Sequence, residues 1–278
     1  GSTAPEKRSD AQQWAVIWIV GSGHFISHFY VMCLPPLFPF MKPDLQVEYA
    51  ELGFILTCFF VAVASVQMPV GMLVDRIGAR RVLLAGLIIL SSAITLSGLT
   101  SSYWALVCLF ICAGVGNSVF HPCDYVILSS SVDETRMGKA FSIHSVCAQT
   151  GFLAAPVLMI WVATLYDWRM ALIVAGSMGL AVMLLVLVCQ GILRDSGERK
   201  KKEPGQLRRT WHALMERKIL AHFFYFATSS AATTAISSFM IVVLVSHYGI
   251  EKTVAANVLI GYLAAAIAGV LLGGIAAD

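Results

Sequence analysis

Charged side chains are scarce in this chain of 278 residues. Only 13% of its residues are Asp, Glu, Lys or Arg, whereas an ordinary soluble domain carries roughly 25%. Hydrophobic residues make up 58% of the chain, and the mean hydropathy is +0.78. The net charge of +3 is small and scattered, which argues against a surface that binds nucleic acid. The composition therefore argues against a water-soluble enzyme and favours a membrane protein.

Other patterns are missing as well. The seven cysteines lie singly within apolar runs, without a C-x-x-C pair, so we expect them to form neither disulfides nor a zinc site. The apolar run that begins at Trp14 lacks a small-residue cleavage site, which indicates a retained first helix rather than a signal peptide. Alternation with a period of two residues is absent, so the apolar runs favour helices.

Long apolar runs, by contrast, fill most of the chain. A helix needs about 20 predominantly apolar residues to cross a bilayer, and short polar patches separate eight runs of this kind. We therefore expect an all-α membrane protein. Its predicted spans lie at about 14–40, 50–74, 82–99, 103–129, 139–165, 170–193, 219–247 and 254–277.

Basic residues are distributed unevenly between the connections of these spans. Of the 19 Lys and Arg residues, 16 fall on one side of the membrane and 3 on the other. The positive-inside rule then places residues 1–13, the 75–81 loop, the 130–139 loop and the basic linker 194–218 in the cytoplasm. The three basic residues on the opposite side are Lys42, Arg169 and Lys252.

A short motif follows the second span. From Gly71 onward the chain reads G-M-L-V-D-R-I-G-A-R-R, which matches G-x-x-x-D-[RK]-x-G-x-[RK]-[RK] at every fixed position. We expect Gly71 to allow close helix packing, Asp75 to accept hydrogen bonds from neighbouring helix ends, and Gly78 to permit a turn. The basic members of the motif are Arg76, Arg80 and Arg81.

The beginning of this motif recurs late in the chain. Gly274 and Asp278 end the eighth span with the same G-x-x-x-D spacing. An internal repeat of this kind is typical of transporter folds that are built from two related halves. We therefore expect a second half that begins after the linker, with only its first two helices present, so that the chain looks truncated.

The motif resembles the signature loop between helices two and three of the major facilitator superfamily of secondary transporters. The resemblance implies an N-terminal six-helix bundle over 14–193 and the start of a C-terminal bundle over 219–278, joined by the linker. It also implies that Asp75 and Arg76 belong to a conformational latch that stabilises the outward-facing state. The expected activity is alternating-access transport of a small solute, which is not enzymatic and needs no cofactor.

A second stretch resembles one branch of this superfamily. Gly114 to Pro122 reads G-V-G-N-S-V-F-H-P and is similar to the FHP-containing segment of the fosmidomycin-resistance-like branch. That resemblance implies efflux of a small polar or anionic compound across a bacterial inner membrane. The chain has no G-x-x-x-x-G-K-[ST] loop for ATP, so we expect an antiporter or symporter that an ion gradient drives. The sequence leaves the solute, the direction of transport and the oligomeric state open.

Titratable residues within the spans are candidates for solute binding and proton coupling, because they are costly at membrane depth. Asp124 is the acidic residue well inside a span, and His121 precedes it by three positions, so the two can share a proton. Alternatively, Asp124 lies near the cytoplasmic helix end and bonds either to helix ends or to the serine run 129–131. His24 and His28, spaced four residues apart, share one helix face. Further candidates are Asn117, His144 and Gln149.

Two other classes of protein remain open from these residues. Histidines on facing helices, including His24, His28, His121 and His144, could hold a haem or a metal in a membrane redox protein. The chain could also be a transporter-like sensor or scaffold, or the carrier domain of a larger fusion. We take the proton-coupled transporter as the leading hypothesis, with protons, a small solute and the lipid bilayer as its partners.

Overall fold

The computed structural model describes residues 8–193 and 215–277, with the backbone alone for 270–277. Within these ranges the chain forms α-helices joined by short turns, and no strand occurs in them. Two 3-10 turns, Pro35–Leu37 and Gln190–Ile192, interrupt or follow the helices. The helices are α1 Asp10–Val31, α2 Phe38–Leu45, α3 Tyr49–Ile77, α4 Ala79–Ser97, α5 Tyr103–Asn117, α6 Phe120–Ser131, α7 Glu134–Leu165, α8 Trp168–Val188, α9 Arg217–Ser246 and α10 Lys252–Ala277.

Eight segments of the described chain are long and apolar enough to cross a membrane. Helices α1 and α2 together form the first segment, Asp10–Leu45, and α5 and α6 form the fourth, Tyr103–Ser131. Each of the other six segments is a single helix, and every segment begins within five residues of its expected boundary. The prediction of an all-α, multi-pass membrane protein with eight spans is therefore confirmed.

The first eight helices share one apolar core. Helix α1 packs along α7, while α4 contacts both α5 and α8. Fully buried aromatic side chains such as Phe29, Phe59 and Phe110 fill the space between them. Helix α10 packs against α7 and α9 around a smaller apolar cluster. That cluster consists of Ile160, Ile241, Ala255, Ala256 and Leu259.

A glycine allows the close contact between α1 and α7. A Cβ atom placed on Gly151 would lie 2.4 Å from the carbonyl oxygen of Phe25 and 3.0 Å from the amide nitrogen of Phe29. Any side chain there would push the two helices apart. Helices of membrane proteins often approach each other at small residues in this way.

Two glycines of the sequence motif have different roles in the fold. Gly78 ends α3 and begins α4 with φ 94° and ψ 146°, a backbone conformation that residues with a Cβ rarely adopt. The expected turn is therefore present. The described residues do not show the close packing expected at Gly71, because a Cβ there would meet none of their atoms within 4 Å. The glycine spacing alone does not say which helix face has a neighbour.

Candidate functional site

A break in the fourth membrane segment orients its polar residues. Helix α5 ends at Asn117 and α6 begins at Phe120, with Ser118 and Val119 between them. Pro122 occupies the first turn of α6, where its missing N–H costs little. Because the helix restarts here, residues of α6 do not continue the faces of α5.

Asp124 is the acidic centre of the candidate site. Its side chain is 0% exposed, and its Oδ2 atom lies 3.0 Å from Nε2 of His144 and 3.1 Å from Nδ1 of His24. The contact with His144 is a hydrogen bond, whereas Nδ1 of His24 forms no hydrogen bond with any described residue. Two imidazoles, one from α1 and one from α7, therefore lie against the same carboxylate oxygen.

Four histidine rings pack together beside this carboxylate. The rings of His24 and His144 are stacked, with centroids 3.6 Å apart and planes inclined by 22°. His28 lies 4.5 Å from His24, one turn along the same face of α1. His121 lies 5.2 Å from His24, measured between ring centroids. The structure thus brings five of the candidate residues, from α1, α6 and α7, into one polar cluster, which we call the histidine–aspartate cluster.

The expected pairing of His121 with Asp124 needs correction. The carboxylate of Asp124 is directed to His24 and His144 rather than to its neighbour in α6, and His121 is exposed, with its ring 6.2 Å from that of Tyr125. The pairing in the structure links residues of different helices, which local spacing cannot reveal.

Two further candidates lie away from the carboxylate. Asn117, at the end of α5, accepts a hydrogen bond of 2.8 Å from the hydroxyl of Ser27, which lies on α1 between His24 and His28. Gln149 is half-buried and lies five residues after His144, on a different side of α7. Asn117 thus belongs to the wall beside the cluster, whereas Gln149 does not face it.

The basic motif lies at the junction of α3 and α4. Asp75, Arg76 and Arg81 are exposed, while Arg80 donates a hydrogen bond of 3.2 Å from Nη1 to the carbonyl oxygen of Gln190, just after α8. This bond ties the motif loop to the end of another helix. Gly274 lies in the last part of α10, where the backbone alone is described, and Asp278 lies outside the described residues.

A second polar cluster joins the opposite helix ends. Asp44, the penultimate residue of α2, accepts hydrogen bonds from Nε1 of Trp168 at 3.1 Å and from Nη1 of Arg169 at 2.7 Å. Arg169 also donates to the hydroxyl of Ser101 at 3.1 Å and lies over the Trp168 ring at 4.2 Å. The sequence analysis placed Arg169 on the side of the membrane opposite the cytoplasm, but it did not identify Asp44 as its partner.

The histidine–aspartate cluster has the chemical groups that hold a metal ion. His24, Asp124 and His144 offer ligand atoms that all lie within 4.8 Å of one another. Two imidazoles and a carboxylate are a common donor set for divalent transition metals. The sequence analysis named His24 and His144 among the histidines that could hold a metal on facing helices, but it did not group Asp124 with them.

Comparison with known proteins gives a match over nearly the whole chain. The sequence pattern of the Major Facilitator Superfamily matches residues 20–278. The probable L-galactonate transporter of Escherichia coli is 24% identical over 140 residues, which cover 50% of this chain and 31% of that protein. The riboflavin transporter RibZ of Clostridioides difficile is 22% identical over 174 residues, which cover 63% of this chain and 38% of that protein. The matches thus span less than half of either relative.

A solved structure matches the fold more completely. The bacterial homologue of the human lysosomal transporter Spinster, in an inward-facing and unoccupied conformation, superposes with a TM-score of 0.74 at 18% identity. The superposition covers 96% of this chain and 63% of that protein. The arrangement of helices is therefore shared, although side-chain chemistry cannot be transferred at this identity.

Proposed function

Because the chain belongs to the Major Facilitator Superfamily, we propose that it takes part in secondary transport of a small solute by alternating access, coupled to protons. The superfamily match and the eight membrane segments support the general activity. Transporters of this type bind their solute between helices near the middle of the membrane. On this proposal residues 14–193 form one bundle, and residues 219–278 begin a second one after the basic linker 194–218.

The observation that carries the proposal is the buried histidine–aspartate cluster. Asp124, His24 and His144 are 0%, 2% and 4% exposed, and each lies within a membrane segment. Ionisable groups at such depth are costly, and they usually mark the path of an ion or a solute. Packing of the apolar core does not require three ionisable side chains at this place, so a role in binding accounts for them better.

The number of titratable groups that face one another supports the proposed proton coupling. His24 and His28 come from α1, His121, Asp124 and Tyr125 from α6, and His144 from α7. When one imidazole is protonated, its positive charge pairs with the carboxylate of Asp124. When that proton leaves, the negative charge of the carboxylate is free to bind another cation. Because the proton and the other cation compete for the same carboxylate, binding of one can release the other.

The motif loop supplies a second element of the proposed mechanism. Arg80 bonds the end of α8, and we assign Asp75 and Arg76 to the same latch on the resemblance of their motif. A contact between two helix ends that forms in one conformation favours that conformation. The latch therefore stabilises one of the two access states.

The sequence supports the proposed orientation and solute class. The excess of basic residues supports a cytoplasmic N-terminus in a bacterial inner membrane. The fosmidomycin-resistance-like segment around Phe120 and His121 supports efflux of a small polar or anionic compound. The relatives named above are described as transporters of a sugar acid and of a vitamin, which fits a small polar solute.

Reconstitution tests this function directly. Liposomes that contain the protein and a pH-sensitive dye are exposed in turn to small anions, sugars, metabolites and drugs. We expect at least one solute to drive proton movement in the wild type. Asp124→Asn should abolish that movement while the protein still inserts and remains monodisperse.

Asp167→Asn is the matched control. Asp167 is exposed at the start of α8 and caps that helix through the amide of Met170, a role that asparagine fills equally well. The control should retain wild-type proton movement. Unchanged coupling in Asp124→Asn would refute the proposed coupling, and solute binding without any flux would favour a sensor.

A further inference from the structure

The histidine–aspartate cluster has donor atoms directed at a single point. Nδ1 of His24 and Nε2 of His144 approach the same oxygen of Asp124 at 3.1 and 3.0 Å. Two ligand atoms bound to one tetrahedral zinc ion at its usual bond lengths lie about 3.3 Å apart. Two of the three pairs of ligand atoms are therefore within a few tenths of an ångström of the spacing in a zinc site, and the third pair, between the two imidazoles, lies within 4.8 Å.

Unsatisfied atoms provide an independent indication. Among the described residues, Nδ1 of His24, Nδ1 of His28 and Oδ1 of Asp124 are buried without a hydrogen-bond partner. Buried polar atoms in folded proteins are almost always satisfied, so each exception calls for a partner. Three such atoms occur within one cluster, and all three are atoms that coordinate metals.

The surrounding charges also favour a cation. The spans that form the cluster contain no lysine or arginine between residues 9 and 41, between 82 and 135, or between 140 and 168. An anionic solute would therefore find no basic side chain there, whereas Asp124 brings a negative charge. A bound metal ion with an open coordination position could in turn hold an anionic group of the solute.

We propose that His24, Asp124 and His144 coordinate a divalent transition-metal ion, and that the transported solute is this ion or its complex with a small carboxylate. The second clause rests on the proposed transport function, whereas the first does not. His28 and His121 lie beside the three ligands, and the exposed ring of His121 offers a first contact for an entering ion. Imidazole and carboxylate ligands suit Zn²⁺, Co²⁺ and Ni²⁺.

Binding is measured first, on purified full chain in detergent without a polyhistidine tag, by titration with Zn²⁺ and Co²⁺. We expect one ion per chain and a visible Co²⁺ absorption band. His24→Ala and Asp124→Asn should each weaken binding about 100-fold or more. His247→Ala, which changes an exposed histidine at the end of α9, should bind like the wild type.

A substitution that restores a ligand guards against misfolding. His144→Cys keeps a donor at the same position, so we expect it to bind Co²⁺ with an added thiolate charge-transfer band, whereas His144→Ala loses the ion. Equal binding by wild type, His24→Ala and Asp124→Asn would overturn the metal site. Absence of binding in a monodisperse wild type would overturn it as well.

Transport is measured separately, in the dye-loaded liposomes. Proton movement driven by Zn²⁺ alone identifies the free ion as the solute, and movement driven only by Zn²⁺ with citrate identifies the complex. If the metal binds but moves no protons in either form, the metal is not the transported solute and the second clause is overturned. If metal-free solutes drive protons while no metal binds, the transport function stands and the metal site falls.

Discussion

Nη1 of Arg169 lies 2.7 Å from Oδ2 of Asp44, and this ion pair joins the start of α8 to the end of α2. The indole of Trp168 donates to the same carboxylate oxygen. Arg169 in addition reaches Ser101, so three separate connections of the chain meet at one carboxylate and one guanidinium. A planar guanidinium can donate to separate partners from fixed positions and stack on an indole at the same time, whereas an ammonium group is a compact charge without that planar fork.

The first prediction concerns this guanidinium. Arg169→Lys keeps the charge but loses the second donor to Ser101 and the flat stacking on Trp168. We therefore expect it to lower the free energy of unfolding by nearly as much as Arg169→Ala, about 1 kcal/mol. Thermal unfolding in detergent, with Asp44→Ala and the double variant, measures the coupling. A lysine variant as stable as the wild type would contradict this account.

The second prediction compares the two glycines of the motif. Gly78→Ala should destabilise the protein by about 1–3 kcal/mol, because φ is 94° at this position. Gly71→Ala, in the last two turns of α3 with no atom of the described residues within 4 Å of the added Cβ, should be neutral or stabilise the protein by up to about 1 kcal/mol. Melting temperatures of both variants test the contrast, and equal effects would disprove it.

The third prediction concerns the contact between α1 and α7. Gly151→Ala places a methyl group 2.4 Å from the backbone oxygen of Phe25, so we expect a loss of about 1–3 kcal/mol. Gly138→Ala, on the same helix but with nothing within 4 Å, serves as the control and should be tolerated. Because His24 and His144 also lie on these helices, Gly151→Ala should weaken binding at the cluster, whereas Gly138→Ala should not.

The fourth prediction concerns a buried amide at the start of α1. Gln13 is 1% exposed; its Nε2 donates to Oδ2 of Asp133 at 2.8 Å, and its Oε1 accepts from the amide of Asp133 at 3.1 Å. Gln13→Glu replaces the donor with an acceptor beside a carboxylate, so we expect a greater loss of stability than from Gln13→Ala.

Gln12 provides the control for this amide. Its side chain is exposed and takes part only in the local cap with Ser9. Gln12→Glu keeps an acceptor for the capping amide and should change the melting temperature little. If the two glutamate substitutions were equally mild, the pair between Gln13 and Asp133 would have no stabilising role.

The sequence predicted the membrane segments well because apolar length is a local property. The shared face of His24 and His28 was also predictable, since a four-residue spacing fixes it within one helix. The partners of Asp124 were not, because His24 and His144 reach it from other helices. For the same reason the sequence did not identify Asp44. The partners of its carboxylate, Trp168 and Arg169 of α8, come close to it only in the folded structure.

The stacked rings of His24 and His144 have a mechanical consequence. They belong to α1 and α7, the two helices that Gly151 holds at backbone contact, and Asp124 bonds to the second of them. A movement that separated these helices would pull the donor atoms apart. The cluster therefore keeps its geometry as long as α1 and α7 move together, and on the proposed transport function an ion reaches it through the exposed side near His121.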